Sequence, residues 1–225
     1  MPGLFITFEG GEGSGKTTQL KALLAHLRST GRDAIETRDP GGTPIGKQVR
    51  DLLLDRENTR MAPVAELFLY EASRAQLIFE VIRPALVQGR IVLCDRFTDS
   101  TVAYQGHGRG LDLDLIVRLN NVATEGLQPD LTFLLDLDPA VGLARAMQRM
   151  AQRNERHDRM EDEIFGFHQR VRAGYQAAAA ADGRRVVVLD ASRGMGEIAG
   201  EIRRRVEGLL PPSACSPQAG TPTLG

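Results

Sequence analysis

The chain has 225 residues, of which 42% are apolar and 25% are charged, and it contains no Trp. This ordinary globular composition excludes disordered, collagen-like and disulfide-rich proteins, and the length fits one domain, since domains typically take roughly 100 to 200 residues. The formal net charge is -1, from 28 basic and 29 acidic residues. That balance gives no reason to expect nucleic acid as an obligatory partner.

Cysteine usage and the N-terminus favour a cytoplasmic protein. Cys94 lies in an apolar run and Cys215 in a Pro-rich ending, so the two contexts differ too much to predict a disulfide or a metal site. The first Lys or Arg is Lys16, so we expect no secretory signal at the N-terminus. No apolar run approaches the roughly 18 residues of a membrane span, and we expect no membrane partner.

Short apolar runs with β-branched residues predict five strands, separated by long segments with helical spacing. Near-continuous apolar runs suit strands that are buried on both faces, which indicates an α/β fold with a parallel sheet. We expect one domain over residues 1–210 and a disordered tail over 211–225, which is rich in Pro, Ser, Thr and Gly. The strands are predicted at Leu4–Phe8, Ala34–Thr37, Ile91–Cys94, Leu131–Leu135 and Val186–Leu189.

A phosphate-binding motif follows the first predicted strand. Residues 10–17 match G-x-x-x-x-G-K-[ST] in full, and a helical pattern follows them. The glycines let backbone N–H groups surround phosphates at a helix N-terminus, whose dipole favours anions. Lys16 is expected to reach the β- and γ-phosphates, and Thr17 to place its hydroxyl on Mg²⁺. The motif predicts a nucleoside triphosphate site without naming the reaction.

A regulatory GTPase is the less favoured alternative. The segment Asp39-Pro40-Gly41-Gly42 matches the short pattern D-x-x-G. A guanine-reading N-K-x-D motif is missing, because none of the three lysines is followed two positions later by Asp.

Asp95 and Arg96 end the third predicted strand and should arrive near the phosphate loop, because ligands bind beyond the carboxyl ends of parallel strands. Asp95 could assist Mg²⁺ through water, and the fork of Arg96 could clamp a phosphate. A strand-end ion pair is the alternative interpretation.

Arginines recur at helical spacing further along the chain, at positions 145, 149 and 153, with Arg156 three residues beyond. A helix would place them on one face, either as a solvated surface or as a mobile lid that brings Arg onto a transferring phosphoryl group. Spacing alone does not separate these two readings.

Taken together, the motifs resemble the thymidylate kinase family in its bacterial form, over nearly the whole chain from Phe5 to about Leu210. The set and its order are specific, although each motif is modest alone. The residues that carry the resemblance are Phe8-Glu9-Gly10, Arg38-Asp39-Pro40-Gly41-Gly42-Thr43, Arg74-Ala75-Gln76, Asp95-Arg96-Phe97, Ser100-Thr101-Val102-Ala103-Tyr104-Gln105-Gly106 and Asp158-Arg159-Met160-Glu161.

The resemblance implies a P-loop nucleoside monophosphate kinase fold: a five-stranded parallel sheet in the order 2-3-1-4-5, helices on both faces, and a helical lid at about 145–160. It implies direct in-line transfer from MgATP to dTMP, giving dTDP in dTTP biosynthesis. It also implies a homodimer formed through helices around Glu66 to Arg83 and Leu115 to Val122, although core packing explains the same apolar faces. Another P-loop nucleotide or deoxynucleoside kinase is the alternative.

Residue roles carried over from the family fall into four groups. Arg50 and Arg96, with Asp39 acting through Mg²⁺, would hold the dTMP phosphate. Thymine would be hydrogen-bonded by Arg74, Thr101 and Gln105, and Tyr70 would stack on it. Tyr104 would close off the ribose 2′ carbon or serve only in helix packing. Glu12 would touch the sugar 3′-hydroxyl or position the lid. ATP would be held by Gly10, Gly11, Glu12, Gly13, Ser14, Gly15, Lys16, Thr17 and Thr18, and metal by Thr17 and Asp95.

The catalytic set implied in this way is Lys16, Glu12, Arg96 and an arginine from the lid. The phosphate loop reads Glu12-Gly13-Ser14 where some members carry an Arg, so the lid is expected to supply it. Arg153 is the first choice and Arg149 the second.

Overall fold

The computed structural model describes residues 3–153 and 158–210, without the side chain of Arg153. Five strands form one parallel sheet in the order β2-β3-β1-β4-β5, which confirms the predicted order. Each strand extends one residue beyond its predicted end. The strands are β1 Leu4–Glu9, β2 Ala34–Arg38, β3 Ile91–Asp95, β4 Leu131–Asp136 and β5 Val186–Asp190.

Helices connect the strands, as parallel pairing requires. Two of them contain π-helical turns, at Ile78–Ile82 and Val102–Gly108, which the sequence analysis did not predict. The α-helices are α1 Lys16–Ser29, α2 Pro44–Leu54, α3 Pro63–Leu77, α4 Arg83–Val87, α5 Thr98–Thr101, α6 Leu113–Thr124, α7 Pro139–Arg153, α8 Phe165–Ala181 and α9 Met195–Glu207.

The sheet is buried on both faces, which explains its apolar strands. Phe8 and Leu93 pack with α1 and α9 on one face, whereas Phe5 and Val92 pack with the α3–α4 region on the other. No helix within residues 3–153 and 158–210 is long and apolar enough to cross a membrane. The predicted tail and lid residues 154–157 lie outside the described residues.

Sheet order determines where the site lies. Strand β1 is central, and β3 and β4 flank it, so the loop after β1 and the residues that end β3 meet at one edge. Phe8 pairs with Asp95 across this edge. Segments more than 80 positions apart in the sequence are thereby brought into contact.

Candidate active site

The phosphate loop spans Gly10 to Gly15, between β1 and α1. Gly10, Gly13 and Gly15 have φ values of 138°, 65° and 92°, which side chains rarely tolerate. Gly13 also lacks room for a side chain, because an added Cβ would lie 2.0 Å from the carbonyl oxygen of Gly142 in α7. The glycines of the motif therefore allow both the positive φ values of the loop and its close packing against α7.

Lys16 begins α1 and lies over the loop. Its Nζ donates to the carbonyl oxygens of Gly10 at 3.0 Å and Gly11 at 2.8 Å. Burial, together with the charge of Arg96, lowers the pKa of Lys16 to about 8. The ammonium and the first N–H groups of α1 converge on one concave surface, which suits a polyphosphate.

Thr17 and Asp95 place two oxygens side by side at this surface. Thr17 Oγ1 donates to Asp95 Oδ2 at 2.6 Å, and both residues line the open pocket that Lys16 also lines. Nearby, Asp39 Oδ1 is buried without a hydrogen-bond partner among the described residues. Mg²⁺ is usually held by one or two carboxylates, waters and substrate phosphates, so this oxygen set fits Mg²⁺.

A second pocket, of about 540 Å³, adjoins the first. Its wall contains all eight side chains predicted to bind the acceptor nucleotide. They are Asp39, Arg50, Tyr70, Arg74, Arg96, Thr101, Tyr104 and Gln105. Asp39, Arg50 and Arg96 also line the pocket around the phosphate loop, as does Glu12. Asp158 lines both pockets as well, so the two pockets meet at two arginines and three carboxylates.

Arg96 and Glu12 form an ion pair at this junction. Arg96 Nη2 donates to Glu12 Oε1 at 2.6 Å, and the Tyr104 hydroxyl donates to the same oxygen at 2.8 Å. Burial alone would raise the pKa of Glu12, but the charges of Arg96 and Lys16 outweigh burial and lower it to about 2. The Arg96 guanidinium carbon also lies 4.9 Å from the centroid of the Tyr104 ring. A charged arginine is therefore held where a phosphate in either pocket can meet it.

Arg74 lies beneath the acceptor pocket with only 1% of its surface exposed. Burial would lower its pKa, but the neighbouring carboxylates raise it, so the guanidinium is charged. Protein atoms accept from all five of its N–H groups. Nε donates to Asp39, Nη1 to Glu71 and Asn120, and Nη2 to Thr101 Oγ1 and the Phe97 carbonyl. Its contact with thymine stays a prediction, because that contact would compete with one of these partners.

Glu66 of α3 supports the other side of the pocket, and no role for it was predicted from the sequence. Gln105 Nε2 donates to Glu66 Oε1 at 2.8 Å, and Arg159 Nη2 donates to Glu66 Oε2 at 2.6 Å. Arg109 also donates to both oxygens. Glu66, Tyr70 and Arg74 are spaced i, i+4, i+8, so helical spacing could have placed Glu66 on the pocket face.

The predicted lid arginines lie along α7. Arg145 and Arg149 line the pocket around the phosphate loop, which favours the functional interpretation of their spacing. Arg145 Nη1 donates to the carbonyl of Ala191, and Arg149 Nη2 lies 3.4 Å from Glu161 Oε1. The side chain of Arg153 lies outside the described residues, so its catalytic role stays a prediction.

Asp158 is a further site residue to which the sequence analysis gave no role. It lines both pockets, and its Oδ1 accepts from the backbone N–H groups of Met160 and Glu161. Its position in the Asp158–Glu161 motif was the available signal. The motif therefore shapes the wall opposite the phosphate loop.

The fold and the paired pockets define a P-loop kinase that acts on a small phosphorylated acceptor. The family model described as thymidylate kinase matches residues 8–202. The thymidylate kinase of Solidesulfovibrio magneticus is 56% identical over 191 residues, covering 84% of this chain and 91% of that protein. The thymidylate kinase of Halothermothrix orenii is 51% identical over 210 residues, covering 93% and 99%.

A comparison with solved structures gives the same family as the sequence comparisons. The crystal structure of thymidylate kinase from Ehrlichia chaffeensis has a TM-score of 0.72 and 34% identity, covering 92% of this chain and 99% of that chain. The chain therefore belongs to the thymidylate kinase family, and it is an enzyme.

Proposed function

We propose that the protein phosphorylates dTMP to dTDP with ATP, as a step in nucleotide biosynthesis. The observation that carries the proposal is the junction of the two pockets at Glu12, Asp39, Arg50 and Arg96. A phosphate bound in the acceptor pocket beside Arg96 faces the γ-phosphate position over Lys16. Transfer is then direct and in line, without a covalent enzyme intermediate.

Charge neutralisation is the main contribution of the chain's own residues. Arg96 and Arg50 bind the acceptor phosphate, so that two polyanions can approach each other. Lys16 exchanges its bonds to Gly10 and Gly11 for bonds to the triphosphate. Thr17 and Asp95 would hold Mg²⁺, which when bound supplies further neutralisation of the transferring phosphoryl group.

The base and sugar occupy the deeper part of the acceptor pocket. Tyr70 stacks on thymine, and Thr101 and Gln105 read its polar edges, since the Gln105 amide donates and accepts at once. Arg74 joins them by exchanging one of its protein partners for the base. Tyr104, held by its bond to Glu12, covers the ribose 2′ position.

The transfer step needs an arginine from the lid, for which Arg153 remains the first choice and Arg149 the second. Arg153→Ala is expected to lower kcat with little change in the KM for dTMP, whereas Arg96→Ala weakens dTMP binding strongly. Equal, small effects of both substitutions would contradict the assignment.

Homodimer formation through α3 and α6 is also part of the proposal. Phe68 of α3 is 54% exposed and Val117 of α6 is 58% exposed. Such apolar side chains on neighbouring helices are typical of an interface. Phe68→Asp should give a monomer by light scattering, and a monomeric wild-type protein would overturn this part. Cytoplasmic location stays a prediction from the sequence.

An acceptor panel tests the activity. ADP formation is measured with ATP and each of dTMP, dUMP, UMP, CMP, AMP and GMP. We expect dTMP to have the highest kcat/KM, because in the proposed binding mode Tyr70 stacks on the base, Gln105 reads its polar edge and Tyr104 covers C2′. Preference for another acceptor would indicate a different nucleotide kinase, and slow GTP hydrolysis without an acceptor would indicate a GTPase.

A further inference from the structure

Three oxygen atoms form a compact cluster beneath Arg96. Glu9 Oε2 lies 2.6 Å from Ser100 Oγ and 2.9 Å from the Tyr175 hydroxyl oxygen, and the two hydroxyl oxygens are 2.7 Å apart. Arg96 Nη1 donates to the Tyr175 hydroxyl and to the Gly10 carbonyl oxygen, each at 3.0 Å, and to Ser100 Oγ at 3.4 Å. The cluster joins the end of β1 to α5 and α8.

The direction of these hydrogen bonds follows from the chemistry of the groups. A guanidinium only donates, so each hydroxyl oxygen is the acceptor in its bond with Arg96. Each hydroxyl then has its own proton to donate, and both lie within reach of Glu9 Oε2. Glu9 is completely buried and, as a carboxylate, only accepts. Arg96, the two hydroxyls and Glu9 therefore form a directed chain that ends on Glu9.

The same carboxylate holds the backbone around Arg96. Arg96 has a φ of 69°, in a region that costs a residue with a side chain about 1–2 kcal/mol. Its backbone N–H donates to the Phe8 carbonyl at 3.0 Å, and the next N–H, of Phe97, donates to Glu9 Oε1 at 2.7 Å. One oxygen of Glu9 thus fixes the turn, while the other fixes the guanidinium through the hydroxyls.

We propose that Glu9 is a positioning residue that holds Arg96 at the junction of the two pockets through Ser100 and Tyr175. This inference rests on the proposed function, in which Arg96 binds the acceptor phosphate. Glu9 itself does not line either pocket. Its effect on the reaction therefore passes through Arg96.

Glu9→Gln is the most specific substitution, because it keeps the shape of the side chain but replaces one accepting oxygen by a donating NH₂ group. If the Gln oxygen faces Phe97 N–H, its NH₂ faces two hydroxyls that already accept from Arg96. If the amide is reversed, its NH₂ faces the Phe97 N–H. Either orientation sets a donor against a donor or reverses the direction of the hydrogen bonds. Arg96 then keeps its bonds to Glu12 and the Gly10 carbonyl but loses the support that reaches it through the two hydroxyls.

Steady-state kinetics at about pH 8 test the proposal. Glu9→Gln should raise the KM for dTMP about tenfold or more, while the KM for ATP stays within about twofold. In an Arg96→Ala background, adding Glu9→Gln should change kcat/KM for dTMP by less than about twofold, since its target is gone. Tyr175→Phe, which removes one hydroxyl alone, should also raise the KM for dTMP. This variant tests the proposal if Glu9→Gln does not fold.

Asp130→Asn is the matched control. Asp130 Oδ2 accepts from the Phe5 N–H at 2.7 Å, so Asp130 is also a carboxylate bonded to a backbone N–H, but it is exposed and lies at the opposite edge of the sheet. Its KM for dTMP should equal that of the wild type. An unchanged KM for dTMP in both Glu9→Gln and Tyr175→Phe, or an equal loss with and without Arg96, would overturn the proposal. Failure of the proposed function is distinct, because the wild type itself would then show no dTMP-dependent ADP formation.

Discussion

Alanine substitutions at four glycines separate the cost of a positive φ from the cost of close packing around the phosphate loop. The four are Gly11, Gly13, Gly15 and Gly142. Gly11 has ordinary φ and open space around its Cα, and Gly15 has open space but a φ of 92°. Gly142, which faces the loop from α7, has ordinary φ, but an added Cβ would lie 2.3 Å from the Glu12 carbonyl oxygen. Gly13 combines a φ of 65° with the 2.0 Å approach to Gly142. The four sites thus cover every combination of ordinary or positive φ with open or crowded surroundings.

The expected losses in free energy of unfolding follow from these geometries. Gly11→Ala should change it by less than about 0.5 kcal/mol. Gly15→Ala should lose about 1–2 kcal/mol, the cost of a side chain at positive φ. Gly142→Ala should lose about 1–3 kcal/mol by overpacking, partly offset by about 1 kcal/mol of helix propensity. Gly13→Ala carries both costs without that offset and should lose about 2–5 kcal/mol.

Urea unfolding without nucleotide measures these losses, so that contacts to ATP do not enter. The ranking Gly11, then Gly15 and Gly142, then Gly13 is the decisive result, and the slope of the unfolding free energy against urea should stay constant across the series. If Gly13→Ala were as stable as Gly11→Ala, the close approach of the loop to α7 would not exist in solution. If Gly15→Ala were harmless while Gly142→Ala was costly, packing alone would explain the glycines.

Three further predictions concern the carboxylates of Glu66, Glu9 and Glu12 and are read from the same unfolding experiment. Glu66→Gln should lose about 3–5 kcal/mol, because two arginines are left near a neutral amide, and wild-type stability in this variant would refute the network. Burial raises the pKa of Glu9 to about 7 from 4.5, so its contribution to stability is present below pH 4.5 and is lost as pH rises to about 7. Glu12, whose pKa is about 2, contributes above pH 4.5 and loses that contribution as pH falls toward 2. Each contribution is about 3 kcal/mol. Glu9→Gln should flatten the plot of unfolding free energy against pH between about pH 4.5 and 7, and Glu12→Gln should flatten it between about pH 2 and 4.5. If either substitution left the plot unchanged, the pKa shift of that residue would be contradicted.

The part of the site that could be predicted from the sequence is the part built from chain neighbours. The phosphate loop needs only a strand, a run of glycines and the start of a helix, and all of its chemistry falls within residues 10–18. The positions of the five strands follow in the same way from short apolar runs, whereas their order was implied only by the resemblance to a family. The residues predicted to bind the acceptor could be named only through that resemblance, since nothing local links Tyr70 to Gln105.

What could not be predicted is how these side chains are paired. Arg74 looked available for a base, yet burial has given each of its N–H groups a protein partner. Glu66 looked like an ordinary helical acid, and it is the buried acceptor for Gln105 and two arginines. Helical spacing indicates which face a residue occupies, but not which distant segment covers that face.

The sequence by itself determined the positions of the strands, the phosphate loop and the kind of chemistry, because each depends on hydrophobic periodicity or on backbone groups next to one another. Only the tertiary structure decided which charges face each other. Arg96 meets Glu12 from 84 positions away, and Glu9 meets Tyr175 from 166 positions away. Such pairs depend on which strands lie side by side and on how much water their packing excludes, and neither quantity is written in a local pattern.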